Sequence, residues 1–187
     1  MRLFAAIDLD AAAQAGLAAA QSRMRAAADA HSPLRWVRPD QLHMTLVFLG
    51  EVGAALADDA MRAVNRPLPQ APFDLEFAGA GAFPPRGAPR ALWIGVRRGE
   101  PELRMLQTAV AERIAALGVT LEPRPFAPHL TVGRWKFSRS SDRRLADALP
   151  PSTIATVRID HVTLYRSQVS SSGSTYTPLA RANLAAD

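Results

Sequence analysis

The 187-residue sequence contains no cysteine. That excludes disulfides, zinc–thiolate sites and a cysteine nucleophile. No apolar run approaches the roughly 18 residues of a membrane-spanning helix. The opening stretch, Met1 to Asp8, meets an acid too soon for a secretory leader, so a soluble cytoplasmic protein is expected. Lysine is almost missing as well: Lys136 is the one lysine among 22 basic residues. The net charge is +5. An arginine-rich, alanine-rich chain reads two ways, as a genome-wide composition bias or as preparation for a polyanionic partner, because arginine suits bidentate phosphate contacts.

What is present fits one domain or two small, intimate lobes. Hydrophobic residues make up 48%, enough for a sizeable core. Arg2 to Ile7 reads as a buried strand. Asp10 to Ala30 is proline-free and alanine-rich, a helix with Asp8 or Asp10 as its N-cap. Ser32-Pro33 breaks it, and Arg35-Trp36-Val37 is extended. Leu42 to Leu49 reads as a strand ended by Gly50, and Ala54 to Asn65 as a helix. Phe73 to Phe77 alternates as a half-buried strand. Gly79 to Gly87 reads as a loop; its Gly-x-Gly is no dinucleotide site, since Pro84 and Pro85 forbid the helix that must follow. Ala91 to Val96 is a central strand. Pro101 to Leu117 is an amphipathic helix closed by Gly118. Phe126 to Trp135 is a strand, Arg143 to Ala148 a short helical piece, Ile154 to Tyr165 a long strand. Ser170 to Ser174 is a turn into a last strand, Thr175 to Leu179. The order predicts an α+β fold of antiparallel sheets with outer helices, in a single domain spanning 1–187.

Two stretches echo one another: Arg38-Pro39-Asp40-Gln41-Leu42-His43-Met44-Thr45-Leu46 and Arg124-Pro125-Phe126-Ala127-Pro128-His129-Leu130-Thr131-Val132. On a strand, His and Thr two apart share a face, while the apolar pair anchors the other face. Two such strands facing one cleft supply two imidazoles and two hydroxyls, the equipment for acid–base chemistry on a phosphodiester without a metal. Three of the four histidines match His-apolar-Thr-apolar, since His161-Val162-Thr163-Leu164 does too. The Arg-Pro flank singles out His43 and His129. His161 lies within a uniform strand and reads as a strand-surface residue. His31 reads as a solvated cap beside a helix-ending proline. A satisfied core histidine is the competing reading for either one alone. Two histidines without a nearby third ligand make a poor metal shell, so no metal and no cofactor are expected.

At these residues the chain resembles the 2H phosphoesterase superfamily, and within it the RNA 2′,3′-cyclic phosphodiesterases, also called 2′-5′ RNA ligases (the LigT-like group). The resemblance runs through Arg2 to Asp8, Trp36 to Pro39, His43 to Gly50, Arg90 to Trp93, Pro128 to Arg134, Leu164 to Ser167 and Gly173 to Tyr176. It implies a bilobal fold with pseudo-two-fold symmetry around a cleft. It implies His43 as proton donor, His129 as proton acceptor, and Thr45, Thr131 and Arg134 as phosphate-binding residues. The partner implied is RNA with a 2′,3′-cyclic phosphate end, tRNA fragments among the candidates, with the enzyme a monomer. A small cyclic nucleotide or ADP-ribose cyclic phosphate as substrate, or a non-catalytic RNA-end-binding module, are the alternatives.

Arg134 lies five residues past His129, an odd offset that a regular strand would aim away from the cleft, so an irregularity at Gly133 is predicted. Phe48 has the same offset from His43 and is expected in the core, with base stacking as the alternative. Phe126, Tyr165 and Tyr176 are open between core or structural positions and cleft positions that could stack on a base. Trp36 and Trp93 are expected to be structural.

Overall fold

The computed structural model describes residues 1–29, 33–170 and 173–185. His31 and the middle of the turn expected at Ser170 to Ser174 fall outside them. The chain runs β1 (Arg2–Ile7), α1 (Ala11–Ala27), β2 (Leu34–Trp36), a 3-10 turn (Pro39–Gln41), β3 (Met44–Glu51), α2 (Ala54–Val64) and β4 (Leu68–Pro69). It continues through β5 (Phe73–Phe83), β6 (Ala91–Arg98), α3 (Glu100–Ala115), β7 (Leu130–Trp135), a 3-10 stretch (Ser140–Ala148), β8 (Thr153–Ile159), β9 (His161–Ser170) and β10 (Gly173–Ala185). The α+β expectation holds. Two five-stranded sheets form, one ordered β3-β1-β9-β10-β4 and the other β2-β7-β6-β5-β8. Every pairing is antiparallel except β10 with β4.

Helices α2 and α3 pack on the first sheet and α1 on the second, reaching β8 and the 3-10 stretch. Gly16 permits the α1 contact, because a Cβ there would sit 2.8 Å from the Ile154 carbonyl oxygen. The buried side chains of both sheets form one contiguous cluster, from Leu3 and Met44 to Leu92, Leu130 and Val162. Asp10 caps α1 by accepting from the Ala13 N–H at 2.7 Å. Asp8, the other expected cap, points elsewhere.

Several boundaries differ from expectation, each for a tertiary reason. Both motif histidines stand just ahead of their strands, because β3 begins at Met44 and β7 at Leu130. The expected loop from Gly79 is strand as far as Phe83: Gly79 takes a positive φ of 63° at a register shift in the β5–β6 ladder, a bulge, and pairing then resumes. The long strand expected over Ile154 to Tyr165 is two strands. They part at Asp160, β8 joining the second sheet against β5 and β9 the first against β1.

Candidate active site

The 3-10 turn Pro39–Gln41 delivers the Gln41 carbonyl to His43, whose Nδ1 lies 2.7 Å from it. The second motif repeats this, with His129 Nδ1 at 2.7 Å from the Ala127 carbonyl. A carbonyl only accepts, so each Nδ1 carries a hydrogen and each Nε2 remains for chemistry. Both rings are half-buried and braced by aromatics. His43 meets Phe4 and Tyr176, each with centroids 5.0 Å away, the second edge-on. His129 meets Phe83 edge-on at 4.9 Å and Trp93 at 6.4 Å. Trp93, expected to be structural, therefore reaches the site.

Each motif strand carries a bulge just after its threonine. In β3, Thr45 pairs with Ala6 and Val47 with Ala5, so Leu46 is the extra residue. In β7, Thr131 pairs with Trp93 and Gly133 with Leu92, so Val132 is the extra residue. A bulge reverses the alternation downstream. Thr131 and Arg134 thus share the half-open face while Leu130, Val132 and Gly133 are buried, which is the irregularity anticipated near Gly133. The same device overturns the expectation for Phe48. It shares the open face with Thr45, is 43% exposed, and stacks on Phe4 at 5.8 Å with Arg2 above it at 5.2 Å.

Tyr165 stacks on the other side of Phe4 at 5.4 Å, and Tyr176 packs edge-on against it at 5.2 Å. Both tyrosines line, with His43 and Asp8, a cavity of about 390 Å³. Phe126 packs half-buried against the core, and Arg104 donates to its carbonyl at 2.8 Å. No ring contact joins it to either histidine among the described residues. The arginines of the two Arg-Pro frames are exposed and pair locally, Arg38 with Asp40 at 2.7 Å and Arg124 with Glu122 at 2.8 Å.

Burial lowers the pKa of both imidazoles, and each carbonyl contact opposes it. The Arg134 guanidinium lowers both further, so one cation acts on two rings carried by different sheets. The histidines differ in Asp8, whose negative charge raises His43.

Asp8 is the residue that sequence reasoning missed. Its carboxylate accepts from Thr163 Oγ1 at 2.7 Å, from His161 Nε2 at 2.9 Å and from the Tyr165 hydroxyl. Burial works against this charge, but the hydrogen bonds from His161, Tyr165 and Thr163 outweigh it and hold the carboxyl below the usual range. His161 also bonds Asp160 through Nδ1, so both ring nitrogens meet carboxylates and its pKa is raised, chiefly by Asp8. It remains a residue of the strand surface, but a tethered one. The available signal was the period-two row His161, Thr163, Tyr165, three donors on one strand face. Among the described residues no group of three or more His, Asp or Glu side chains is arranged to hold a metal ion.

A sequence profile for the 2′-5′ RNA ligase superfamily matches residues 8–170. An RNA 2′,3′-cyclic phosphodiesterase of Archaeoglobus fulgidus is 37% identical over 139 residues, 73% of each chain. The crystal structure of TT0787 of Thermus thermophilus superposes with a TM-score of 0.81 at 27% identity, covering 100% of both chains. The structure of E. coli LigT complexed with 3′-AMP superposes with a TM-score of 0.69 at 30% identity, covering 98% of this chain and 97% of that one.

Proposed function

The chain belongs to the 2′-5′ RNA ligase superfamily, and from that premise we propose that it opens RNA 2′,3′-cyclic phosphate ends to 2′-phosphates by metal-independent acid–base catalysis. The observation that carries the reading is the matched pair: two imidazoles, each with Nδ1 tied to the carbonyl two residues back, and Arg134 acting on both.

A cyclic phosphate diester needs water activated on one side and the departing O3′ protonated on the other. Imidazole does either near neutral pH, so two are needed in opposite protonation states. The local geometries of His43 and His129 are alike, and Asp8 breaks the symmetry. It favours the imidazolium at His43, which suits the acid, while His129 shares the Arg134 charge without the carboxylate and suits the base. His129 Nε2 takes the proton from water as the water oxygen bonds to phosphorus. His43 Nε2 gives its proton to O3′ as the P–O3′ bond breaks. An anionic diester in the cleft offsets the Arg134 charge and raises both imidazoles, which favours a protonated His43 in the complex. Thr45, Thr131 and Arg134 hold the equatorial oxygens as charge develops. A 5′-hydroxyl in place of water would give a 2′-5′ linkage by the same transfers.

The net charge of +5 agrees with an RNA substrate, and we extend the proposal to tRNA fragments acted on by a cytoplasmic monomer. The test is turnover of an oligonucleotide ending in a 2′,3′-cyclic phosphate with EDTA present, followed by end-group analysis. The expected product is a 2′-phosphate, with a loss of about 10²–10⁴-fold in His43→Ala and in His129→Ala. A 3′-phosphate product, or undiminished turnover in either variant, would sink the assignment.

A further inference from the structure

Beyond Trp93 a second cavity opens, of about 400 Å³. Its floor is Gly81 of β5. Trp93 and Pro85 form its walls, and the 3-10 stretch brings Ser140, Arg144 and Asp147 to its rim. Gly81 pairs with Trp93 and Trp93 with Thr131 across three neighbouring strands. The floor thus lies two strand spacings, about 10 Å, from the threonine of the second motif. The indole lies across β5 because position 81 has no side chain: a Cβ there would be 2.2 Å from the ring. Arg143 is committed to the carbonyls of Ala82, Pro84 and Gly87. Arg144 is exposed and gives one N–H to the Ser141 carbonyl at 3.3 Å, leaving donors of its fork toward solvent.

An indole wall, a carboxylate and a hydroxyl for the edge of a base, and an arginine at the rim for a phosphate form a nucleotide's complement. The chemistry says which nucleotide. His43 protonates O3′, so the ribose that keeps the phosphate lies toward His43. Attack in line with O3′ then comes from the His129 side. The cavity is on that side, since Trp93 lines it and lies with its ring 6.4 Å from that of His129.

We propose that this cavity seats the first nucleoside of an RNA bearing a 5′-hydroxyl, so that its O5′ replaces water at phosphorus. This inference rests on the phosphodiesterase reading above. O5′ forms a bond to phosphorus as P–O3′ breaks. The O5′ proton passes to His129 Nε2, and the proton of His43 Nε2 passes to O3′. Both chains end in one 2′-5′ phosphodiester, and no co-reactant is consumed because the cyclic ester supplies the bond exchanged. Seating the acceptor matters because it competes with solvent water for the same phosphorus.

The test is one incubation of RNA ending in a 2′,3′-cyclic phosphate with excess 5′-hydroxyl oligonucleotide, read as the ratio of joined to hydrolysed product. Gly81→Ala displaces the indole and Arg144→Ala removes the rim cation. Each should lower that ratio about tenfold, the scale of one lost base stack or phosphate contact. Both products come from the same folded molecules, so the ratio does not depend on how much of a variant folds. An unchanged ratio in either variant overturns the seat. A wild type that hydrolyses without joining also overturns it and leaves the hydrolase reading standing. A wild type that does neither overturns both.

Discussion

Phe48 stands where Arg134 stands: each lies five residues past its motif histidine, and a bulge turns each onto the open face of its own sheet. The two sheets share one backbone design and differ in what it presents. The first sheet offers an aromatic ring, the second a guanidinium.

Arg134→Gln is expected to reduce kcat/KM by roughly one to two orders of magnitude, the worth of a charge-assisted contact to phosphate. It should also move the pH profile. The guanidinium lowers both imidazole pKa values, so its removal raises both and shifts both limbs of the kcat/KM curve to higher pH. In the wild type, where both are lowered, the optimum should lie on the acid side of the ordinary histidine range. A profile that keeps its limbs in the variant would mean Arg134 faces away from the reacting groups.

Asp8→Asn should move one limb only. The carboxylate raises His43, so neutralising it lowers the acid's pKa and draws the alkaline limb to lower pH, while the acid limb set by His129 stays. At pH values above that limb, the variant should lose about tenfold in rate for every pH unit by which the limb has moved. A uniform loss with both limbs in place would assign Asp8 to folding alone.

His161→Gln tests the tether through stability. The folded pKa of His161 is raised by Asp8, so its contribution is complete below the ordinary histidine pKa and disappears as pH rises through the folded value. The ion pair is partly solvated, so the cost at low pH is about 1 kcal/mol after screening. Denaturant melts at acid and at alkaline pH should show a destabilisation that fades toward alkaline pH. The reverse trend would contradict the pairing.

Gln21→Leu should destabilise by about 1–3 kcal/mol. Gln21 is buried, and its amide nitrogen donates to the Val37 carbonyl at 2.7 Å and to that of Val132, the bulge residue, at 2.9 Å. Leucine leaves the Val37 carbonyl without that donor. Turnover should drop further than stability alone explains, since the bulge aims Arg134. Full activity at a temperature where the variant is folded would separate Gln21 from the site.

The two motif frames were legible because their chemistry is written in residue type and spacing. Arg134 could be rescued on paper because Gly133 beside it advertised a bulge. Phe48 had no such neighbour. Its bulge falls at Leu46, where ordinary residues suffice and the register against β1 decides. The parting of β8 from β9 left one trace, the polar pair Asp160-His161 that shifts the apolar phase from Val157 and Ile159 to Val162 and Leu164, but only the packing of two sheets tells which strand joins which. Asp8 was hidden by its place just before a helix, where a cap is the ordinary use of an aspartate. Trp93 was hidden by the glycine across from it, since Gly81 makes room for an indole only once β5 and β6 are paired.

The sheet that carries His43 takes β1 and β3 from early in the chain and β9 and β10 from late in it, whereas β5 to β8 of the other sheet follow one another. On the ribosome, the Arg134 side can assemble while the His43 side still lacks two of its strands. A nascent chain can therefore complete the sheet beside His129 while the sheet beside His43 still waits for β9 and β10 to emerge.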